Sequence, residues 1–214
     1  MDSGHVDITG YGFSDHHCQP ASKLLLPILF DYLEIERRSG KAAPTVFDLG
    51  CGNGAAANVV ASRGFPVMGV DPSAIGVEHA HRAFPHLHLE QGSAYDDLRK
   101  KYGTFDVVYS FEVVEHVYDP YAYAKCLFDL VNPGGLVLVS TPYHGYLKNL
   151  VLAATGKLDD HFTALWPHGH IKFWSINTLS KLLTEAGFGV ERTHRVGRIP
   201  ALAKSMLMVA RRPA

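Results

Sequence analysis

The stretch VFDLGCGNG, residues 46–54, decides the fold of this chain. A short apolar run over residues 45–49 suits a strand buried on both faces, and the glycine-rich turn follows it at once. Residues 55–63 then have helical spacing. Because a glycine loop between a strand and a helix presents backbone N–H groups to a ligand, the stretch predicts a ligand site at the carboxyl end of this strand.

Short apolar runs and longer helical segments alternate after this loop. Strands are predicted at residues 45–49, 67–70, 87–89, 105–110 and 136–140, and helices at 55–63, 73–84 and 120–131. This alternation with short connections requires parallel strands joined by right-handed crossovers. The sequence therefore predicts an α/β fold with a doubly wound, mostly parallel sheet that binds ligands at the carboxyl ends of its strands.

The flanking segments complete one predicted domain over residues 1–214. Residues 1–40 form a lead-in with a helix over 18–36, and residues 142–174 form an insertion after the fifth strand. A helix over 175–186 that ends at Gly187, and strands around 190–194 and 205–210, would complete the sheet.

Charge and cysteine content exclude several classes of protein. The 20 Lys and Arg are offset by 21 Asp and Glu, so there is no general positive field to attract nucleic acid. Three scattered cysteines do not form a disulfide framework, and no apolar stretch reaches the ~20 residues that span a bilayer. We expect a cytoplasmic protein without nucleic-acid partners or stable membrane insertion; no pattern indicates an oligomeric state.

Two carboxylates predict the nature of the ligand. Asp48 lies two residues before Gly50, where it would repel a pyrophosphate and attract an ammonium or sulfonium group. Asp71 follows the second strand near the ~20-residue offset at which an acidic side chain binds ribose hydroxyls. An adenosine ligand with a positive end satisfies both, although either residue alone could simply cap a helix. The glycine spacing also fits dinucleotide-dependent oxidoreductases, but Asp48 argues against that alternative.

Four segments carry a family resemblance: DLGCGNG at 48–54, GVDPS at 69–73, FDVV at 105–108 and NPGG at 132–135. Together they resemble the successive motifs of class I S-adenosylmethionine-dependent methyltransferases. The resemblance implies S-adenosylmethionine as methyl donor above the glycine loop. It also implies a seven-stranded Rossmann-like sheet whose last strand is antiparallel.

The same resemblance implies which residues surround the donor. Around the methionine portion of the donor it implies Asp48, Gly50, Cys51 and Gly52, and at the ribose it implies Asp71. Pro72 and Ser73 would lie on one side of the adenine, and Ser93 and Ala94 on its other edge. Phe111 is a further candidate for donor binding. Many family members carry an acidic residue where this chain has Ser93.

The end of the fourth strand, SFEVVEHV at 110–117, predicts the chemistry. Glu112, Glu115 and His116 have the i, i+3, i+4 spacing that shares one face of a helical turn, and a hydroxyl acceptor needs a base. The stretch resembles the ubiquinone-biosynthesis O-methyltransferases, which have the same Glu-x-x-Glu-His order. That resemblance implies a divalent cation on these three residues that activates a catechol oxygen, with Mg²⁺, Mn²⁺ and Zn²⁺ all suitable. Capping of the following turn is the alternative.

The insertion over residues 142–174 is rich in aromatic and imidazole side chains. It follows the fifth strand at its carboxyl end, so it predicts a lid with flat apolar faces for a small aromatic acceptor; a satellite core is the alternative. Similar small-molecule methyltransferases carry a histidine before the next helix, which makes His168 and His170 candidate bases. Residues 145–152 form an apolar patch that would allow transient membrane contact, with core packing as the alternative. Tyr11, Phe13, His16 and His17 are expected to close over the donor, with a flexible terminus as the alternative.

The sequence thus predicts an S-adenosylmethionine-dependent methyltransferase of a small molecule, acting at a hydroxyl oxygen, and the resemblance to the ubiquinone-biosynthesis enzymes adds metal assistance as one option. The catalytic candidates are Glu112, His116, His168 and His170, and the metal candidates are Glu112, Glu115 and His116. An N-methyltransferase of a small amine and a catalytically silent subunit that keeps the donor fold are the alternatives.

Overall fold

The computed structural model describes residues 17–40, 43–162, 164–166 and 169–214. Its seven strands form one sheet in the order β3-β2-β1-β4-β5-β7-β6. The strands are β1 Val46–Leu49, β2 Val67–Asp71, β3 His88–Gln91, β4 Phe105–Ser110, β5 Val131–Pro142, β6 Gly189–Val196 and β7 Ser205–Arg211. Only β7 runs antiparallel to its neighbours β5 and β6. The predicted doubly wound, seven-stranded sheet with an antiparallel last strand is confirmed.

Eight helices flank the sheet in the described part of the chain. They are α1 Pro20–Arg38, α2 Ala55–Ser62, α3 Ala74–Ala83, α4 Leu98–Tyr102, α5 Pro120–Leu130, α6 Tyr146–Ala154, α7 Leu158–Phe162 and α8 Ile176–Glu185, with a 3₁₀ turn at Pro200–Leu202. Side chains define several starts: Ser73 accepts a hydrogen bond from the Gly76 N–H, Asp119 accepts two from the first turn of α5, and Ser175 and Thr178 form a capping box.

In each central strand, the side chains of successive residues point to opposite faces of the sheet and pack in separate hydrophobic clusters. In β4, Val107 packs with α1 and α2, whereas Val108 packs with α5 and α8. Burial on both faces explains why these strands are continuous apolar runs in the sequence. Helices occupy both faces of the sheet, so the carboxyl edge of the strands is left for the loops and the lid.

The lid differs most from the sequence prediction. Residues 142–174 contain α6 and α7, neither of which the apolar pattern predicts, because α6 exposes most of its apolar side chains and buries Lys148. Helix α4 was also not predicted, since five residues are too few for a periodic signal. Among the helices described, none is long and apolar enough to cross a membrane.

Candidate functional site

The glycine loop is held close to the ends of β1, β2 and β4. The N–H groups of Gly50 and Cys51 both donate to the Val70 carbonyl, at 2.8 and 3.0 Å. Gly50 has a φ of 93°, and a Cβ there would lie 2.3 Å from Cγ2 of Val113. Only glycine fits this position without displacing Val113. The Val113 side chain therefore fixes the loop that precedes α2 by packing against its backbone.

Asp71 joins the loops that follow β1 and β2. Its Oδ2 accepts the Gly52 N–H at 2.8 Å and its Oδ1 accepts the Ser73 N–H at 2.8 Å. Burial raises the pKa of Asp71 to about 6, although the two backbone hydrogen bonds act in the opposite direction. Each carboxylate oxygen can accept a further hydrogen bond, so a ribose contact is compatible with these two.

Asp48 lies beneath the loop as a buried carboxyl group. The Tyr109 hydroxyl donates to its Oδ2 at 2.5 Å. Burial raises the pKa of Asp48 to about 8, and the nearby charge of Asp71 raises it further. A cation beside this carboxylate would stabilise its ionised form, which fits the positive end of the predicted ligand.

The remaining predicted donor residues lie at the same sheet edge. The Pro72 carbonyl accepts a hydrogen bond from the Gln91 side chain at 3.2 Å, and Phe111 packs on Tyr109 with ring centroids 4.8 Å apart. The Ser93 N–H donates to the carboxylate of Asp96 at 2.7 Å. Asp96, three residues after Ser93, therefore places an acidic side chain at the turn formed by Ser93 and Ala94.

The N-terminal segment reaches the glycine loop. The Asn53 side chain donates to the His17 carbonyl at 3.1 Å, immediately before α1. The other residues expected to close over the donor, Tyr11, Phe13 and His16, lie outside the described residues, so that expectation stays a prediction.

Glu112 has its carboxylate turned toward β5 and β7. Its backbone has a φ of 56°, a strained conformation for this residue type that interrupts any helical turn. Ser140 and Ser205 donate to its carboxylate at 2.9 and 3.2 Å. The prediction of one helical face for Glu112, Glu115 and His116 is therefore wrong, because the chain turns at Glu112 toward β5 and β7. Burial raises the pKa of Glu112 to about 7.

Glu115 and His116 come together with His170 of the lid. Their ligand atoms all lie within 4.8 Å of one another, and the His116 and His170 rings are 5.0 Å apart. Glu115 is buried, and neither of its carboxylate oxygens has a hydrogen-bond partner among the described residues. Burial, with the charge of Glu112 in addition, holds its pKa well above the usual range. This arrangement offers one carboxylate and two imidazoles to a ligand.

Backbone hydrogen bonds fix the lid to this cluster. The N–H groups of Ile171 and Lys172 donate to the Glu115 carbonyl at 2.9 and 3.0 Å, and Trp174 Nε1 donates to the Val114 carbonyl at 3.1 Å. Burial, with His116 adding to the effect, lowers the pKa of His170 to about 4, so its ring is neutral at pH 7. The other candidate base, His168, lies outside the described residues.

The inner side of the lid contains polar side chains that were not predicted as site residues. His144 stacks among His161, Phe162 and Phe173, with ring centroids 5.1, 6.3 and 5.1 Å away. Lys148 of α6 is buried beside them. The position of His144, two residues after β5 at the carboxyl edge, was a signal that could have identified it.

Comparisons with known proteins show the family of the chain. The family described as "Methyltransferase domain" matches residues 23–193. The ubiquinone biosynthesis O-methyltransferase of Psychrobacter arcticus is 34% identical over 165 residues, which cover 70% of this chain and 60% of that protein. The enzyme of the same name from Aromatoleum aromaticum is 32% identical over 168 residues, 75% of this chain and 70% of its own. This chain thus spans less than two thirds of the first of these relatives.

A solved structure shares the fold. The magnesium protoporphyrin IX methyltransferase of Synechocystis, with bound SAH, superposes with a TM-score of 0.65 at 19% identity. The match covers 96% of this chain and 91% of that one.

Proposed function

Because the chain belongs to the methyltransferase-domain family, we propose that it uses S-adenosylmethionine to methylate a hydroxyl oxygen of a small aromatic acceptor, a phenol or catechol. The named activity of its relatives, ubiquinone biosynthesis O-methylation, supports this acceptor class. The alternative acceptor, an amine, requires no carboxylate and imidazole cluster.

Donor binding is assigned to the loop residues. Asp71 accepts hydrogen bonds from the ribose, and the glycine loop with Asp48 surrounds the methionine portion. The fit rests on the buried Asp48 carboxyl, because burial raises its pKa to about 8 and a neighbouring sulfonium would favour its ionised form. S-adenosylmethionine, when bound, supplies a sulfonium-linked methyl group for in-line displacement by the acceptor oxygen.

One observation carries the acceptor chemistry: the buried, unpartnered Glu115 carboxylate lies beside His116 and His170 at the carboxyl end of β4. A buried carboxylate without partners is costly unless it meets a proton or a cation. These three side chains lie at the edge where the acceptor hydroxyl must lose its proton. The neutral ring of His170 can accept that proton while the oxygen forms its bond to the methyl carbon.

Without a cation, His170 is the proton acceptor. In a second state the same three residues would instead be the ligands of a divalent cation, and the proton of the acceptor would pass to solvent. Two imidazoles and one carboxylate are a ligand set that suits Zn²⁺ or Mn²⁺ better than Mg²⁺, which favours oxygen ligands. A bound cation would lower the pKa of an acceptor hydroxyl. His170, which was predicted only as a base, would then be a ligand in place of Glu112, which lies next to the cluster.

The proposed function is tested by transfer of a labelled methyl group from S-adenosylmethionine to matched acceptors. Catechol, phenol and benzylamine present a diol, one hydroxyl and an amine on the same ring. We expect O-methylated product from catechol in the greatest yield. Labelled product from benzylamine alone would contradict O-methylation, and His116→Ala separates enzyme-catalysed from background transfer because it removes one member of the cluster.

A further inference from the structure

Helix α6 buries its lysine and exposes its apolar side chains. Lys148 is 7% exposed, whereas Tyr146 is 85% and Leu150 is 51% exposed. Helices on globular proteins normally have the opposite arrangement. Lys148 is also the third residue of α6, where the positive end of the helix dipole disfavours a cation. Burial and helix position both destabilise the ammonium group, so stability does not explain its placement.

The Lys148 ammonium is held at the carboxyl edge of the sheet by backbone carbonyls. Its Nζ donates to the Tyr143 carbonyl at 2.8 Å and to the Lys204 carbonyl at 3.5 Å. It forms no ion pair with a carboxylate in the described part of the chain. Because an ammonium group has three donors, one N–H and most of the charge are left for a ligand.

The groups around Lys148 favour an anion on its side of the pocket. Arg198 lies close enough for the two positive charges to act on each other, and it has a left-handed φ of 67°. The buried His144 has no hydrogen-bond partner at Nδ1 among the described residues, and neither has His161 at Nε2. Burial, with the charge of Lys148 in addition, lowers the pKa of His144 to about 4, so this ring is neutral and can donate one N–H.

One acidic group acts on Lys148. Burial lowers the pKa of Lys148 and the charge of Glu112 opposes that lowering, but the Glu112 carboxylate already accepts hydrogen bonds from Ser140 and Ser205. Glu112 also acts on Glu115 of the proposed proton-accepting cluster. An acceptor with its reacting hydroxyl at that cluster would therefore have an anionic group within reach of Lys148.

An open cleft shares Phe162 with this cluster. It has a volume of about 460 Å³ and is lined by Asp159, Phe162, Ala164, Leu165 and Trp166. The Phe162 ring stacks on His144 at an interplanar angle of 17°. An aromatic acceptor in the cleft would therefore lie against the ring that packs on His144.

We propose that Lys148 binds a carboxylate of the methyl acceptor, with His144 and Arg198 as further members of the same subsite. The enzyme would then select aromatic acceptors that carry a carboxylate as well as the hydroxyl to be methylated. The inference rests on the proposed function, since it concerns the acceptor pocket of that reaction. The bound carboxylate would accept the remaining N–H of Lys148 and compensate its buried charge.

Binding of benzoate and benzamide tests the subsite without turnover. The two probes have similar size and differ in charge, and their affinities are measured by calorimetry in the presence of S-adenosylhomocysteine. We expect the wild-type protein to bind benzoate at least about tenfold more tightly, the effect of one charge-assisted hydrogen bond. Lys148→Met should remove this preference and Lys148→Arg should retain part of it. Lys157→Met, an exposed lysine after α6, is the matched control and should keep the preference in full.

Equal affinities for the two probes in the wild-type protein, or a preference that survives Lys148→Met, would overturn the proposal. If Lys148→Met does not fold, Arg198→Gln replaces it, because Arg198 is exposed and its loss should reduce the preference for benzoate severalfold. A benzoate preference without methyl transfer to any hydroxyl would refute the proposed function and leave the anion subsite intact. Transfer to catechol and 3,4-dihydroxybenzoate at equal kcat/KM would refute the subsite alone.

Discussion

Buried carboxyl groups surround the proposed methyl-transfer site, and each has a different set of partners. Asp71 accepts two backbone N–H groups, Asp48 accepts one tyrosine hydroxyl, and Glu115 has no hydrogen-bond partner among the described residues. The number of partners decides how strongly each group needs a ligand. Asp71 is suited to neutral hydroxyls, whereas Asp48 and Glu115 are suited to a cation or a proton.

Asp71→Ala should weaken binding of S-adenosylhomocysteine. The variant loses an ionised acceptor of one or two ribose hydrogen bonds, each worth about 1.5–3 kcal/mol before compensation by solvent, and the Gly52 N–H loses its partner. Calorimetry measures the affinity. Asp71→Asn, which keeps one acceptor oxygen, should lose less. An unchanged dissociation constant in both variants would mean that the ribose is bound elsewhere.

Metal affinity distinguishes the cluster in the structure from the one that the spacing predicted. We expect Glu115→Gln and His170→Ala each to weaken Zn²⁺ or Mn²⁺ binding by about tenfold or more, because each removes a ligand. Glu112→Gln is the control, since its carboxylate is turned to Ser140 and Ser205. Titration of the dialysed protein with each metal, followed by calorimetry, gives the affinities. An equal loss in Glu112→Gln would favour the sequence-predicted set.

These residues also show which parts of the candidate site could be predicted from the sequence. Asp48 and Asp71 could be placed because each lies at the carboxyl end of a strand, and strand ends in a parallel sheet meet at one edge. His170 and Lys148 could not be placed with the same certainty. Their positions depend on lid hydrogen bonds to the Glu115 carbonyl and on the inverted burial of α6, and no local periodicity encodes either.

At the scale of elements, the strands were predictable and the lid was not. The central strands are buried on both faces, so their apolar runs are unambiguous, and β4 has the predicted bounds, Phe105–Ser110. Lid helices α6 and α7 are nine and five residues long and expose much of their apolar surface. A pattern that assumes apolar residues point inward cannot detect them.

Docking of the lid on the β4 loop predicts a separation between donor binding and turnover. His170→Ala should lower acceptor turnover by about 10²-fold, the usual contribution of a general base, while S-adenosylhomocysteine affinity stays nearly constant. The reason is geometric, since the described ring contacts of His170 are with His116 and Trp166 and not with the glycine loop. Steady-state rates with catechol and calorimetry provide the two readouts.

His168→Ala is the comparison for this prediction. We expect it to be the milder of the two, because His170 is the histidine that the structure places against His116. Wild-type rates in both variants would exclude His168 and His170 as bases, and the proton would then have to leave through Glu115 or His116.

At the scale of the whole molecule, the sheet sequesters acidic groups that water would otherwise solvate. Burial raises the pKa of Asp48 to about 8, of Glu112 to about 7 and of Asp71 to about 6. A carboxyl group whose folded-state pKa is raised stabilises the fold below its unfolded pKa, and this contribution is lost as the pH rises toward the folded value. The ligand-free protein therefore carries a stability cost at neutral pH that a cationic ligand at Asp48 would relieve.

The stability of the ligand-free protein should consequently fall between about pH 6.5 and 8. Below this window His144 and His170, whose pKa values are lowered to about 4, make stability rise with pH and oppose the carboxyl groups. Above it Lys148, whose pKa is lowered to about 8, opposes them in the same way. Thermal unfolding should show a decreasing Tm across the window, at about 2–4 °C for each kcal/mol lost.

Asp48→Asn should flatten the slope of Tm against pH, because an amide does not titrate, whereas Asp129→Asn on the outer face of α5 should leave that slope unchanged. A Tm that rises from pH 6.5 to 8 in the wild-type protein would mean that Asp48 is already ionised without a ligand, and the argument that it requires a cation would fail.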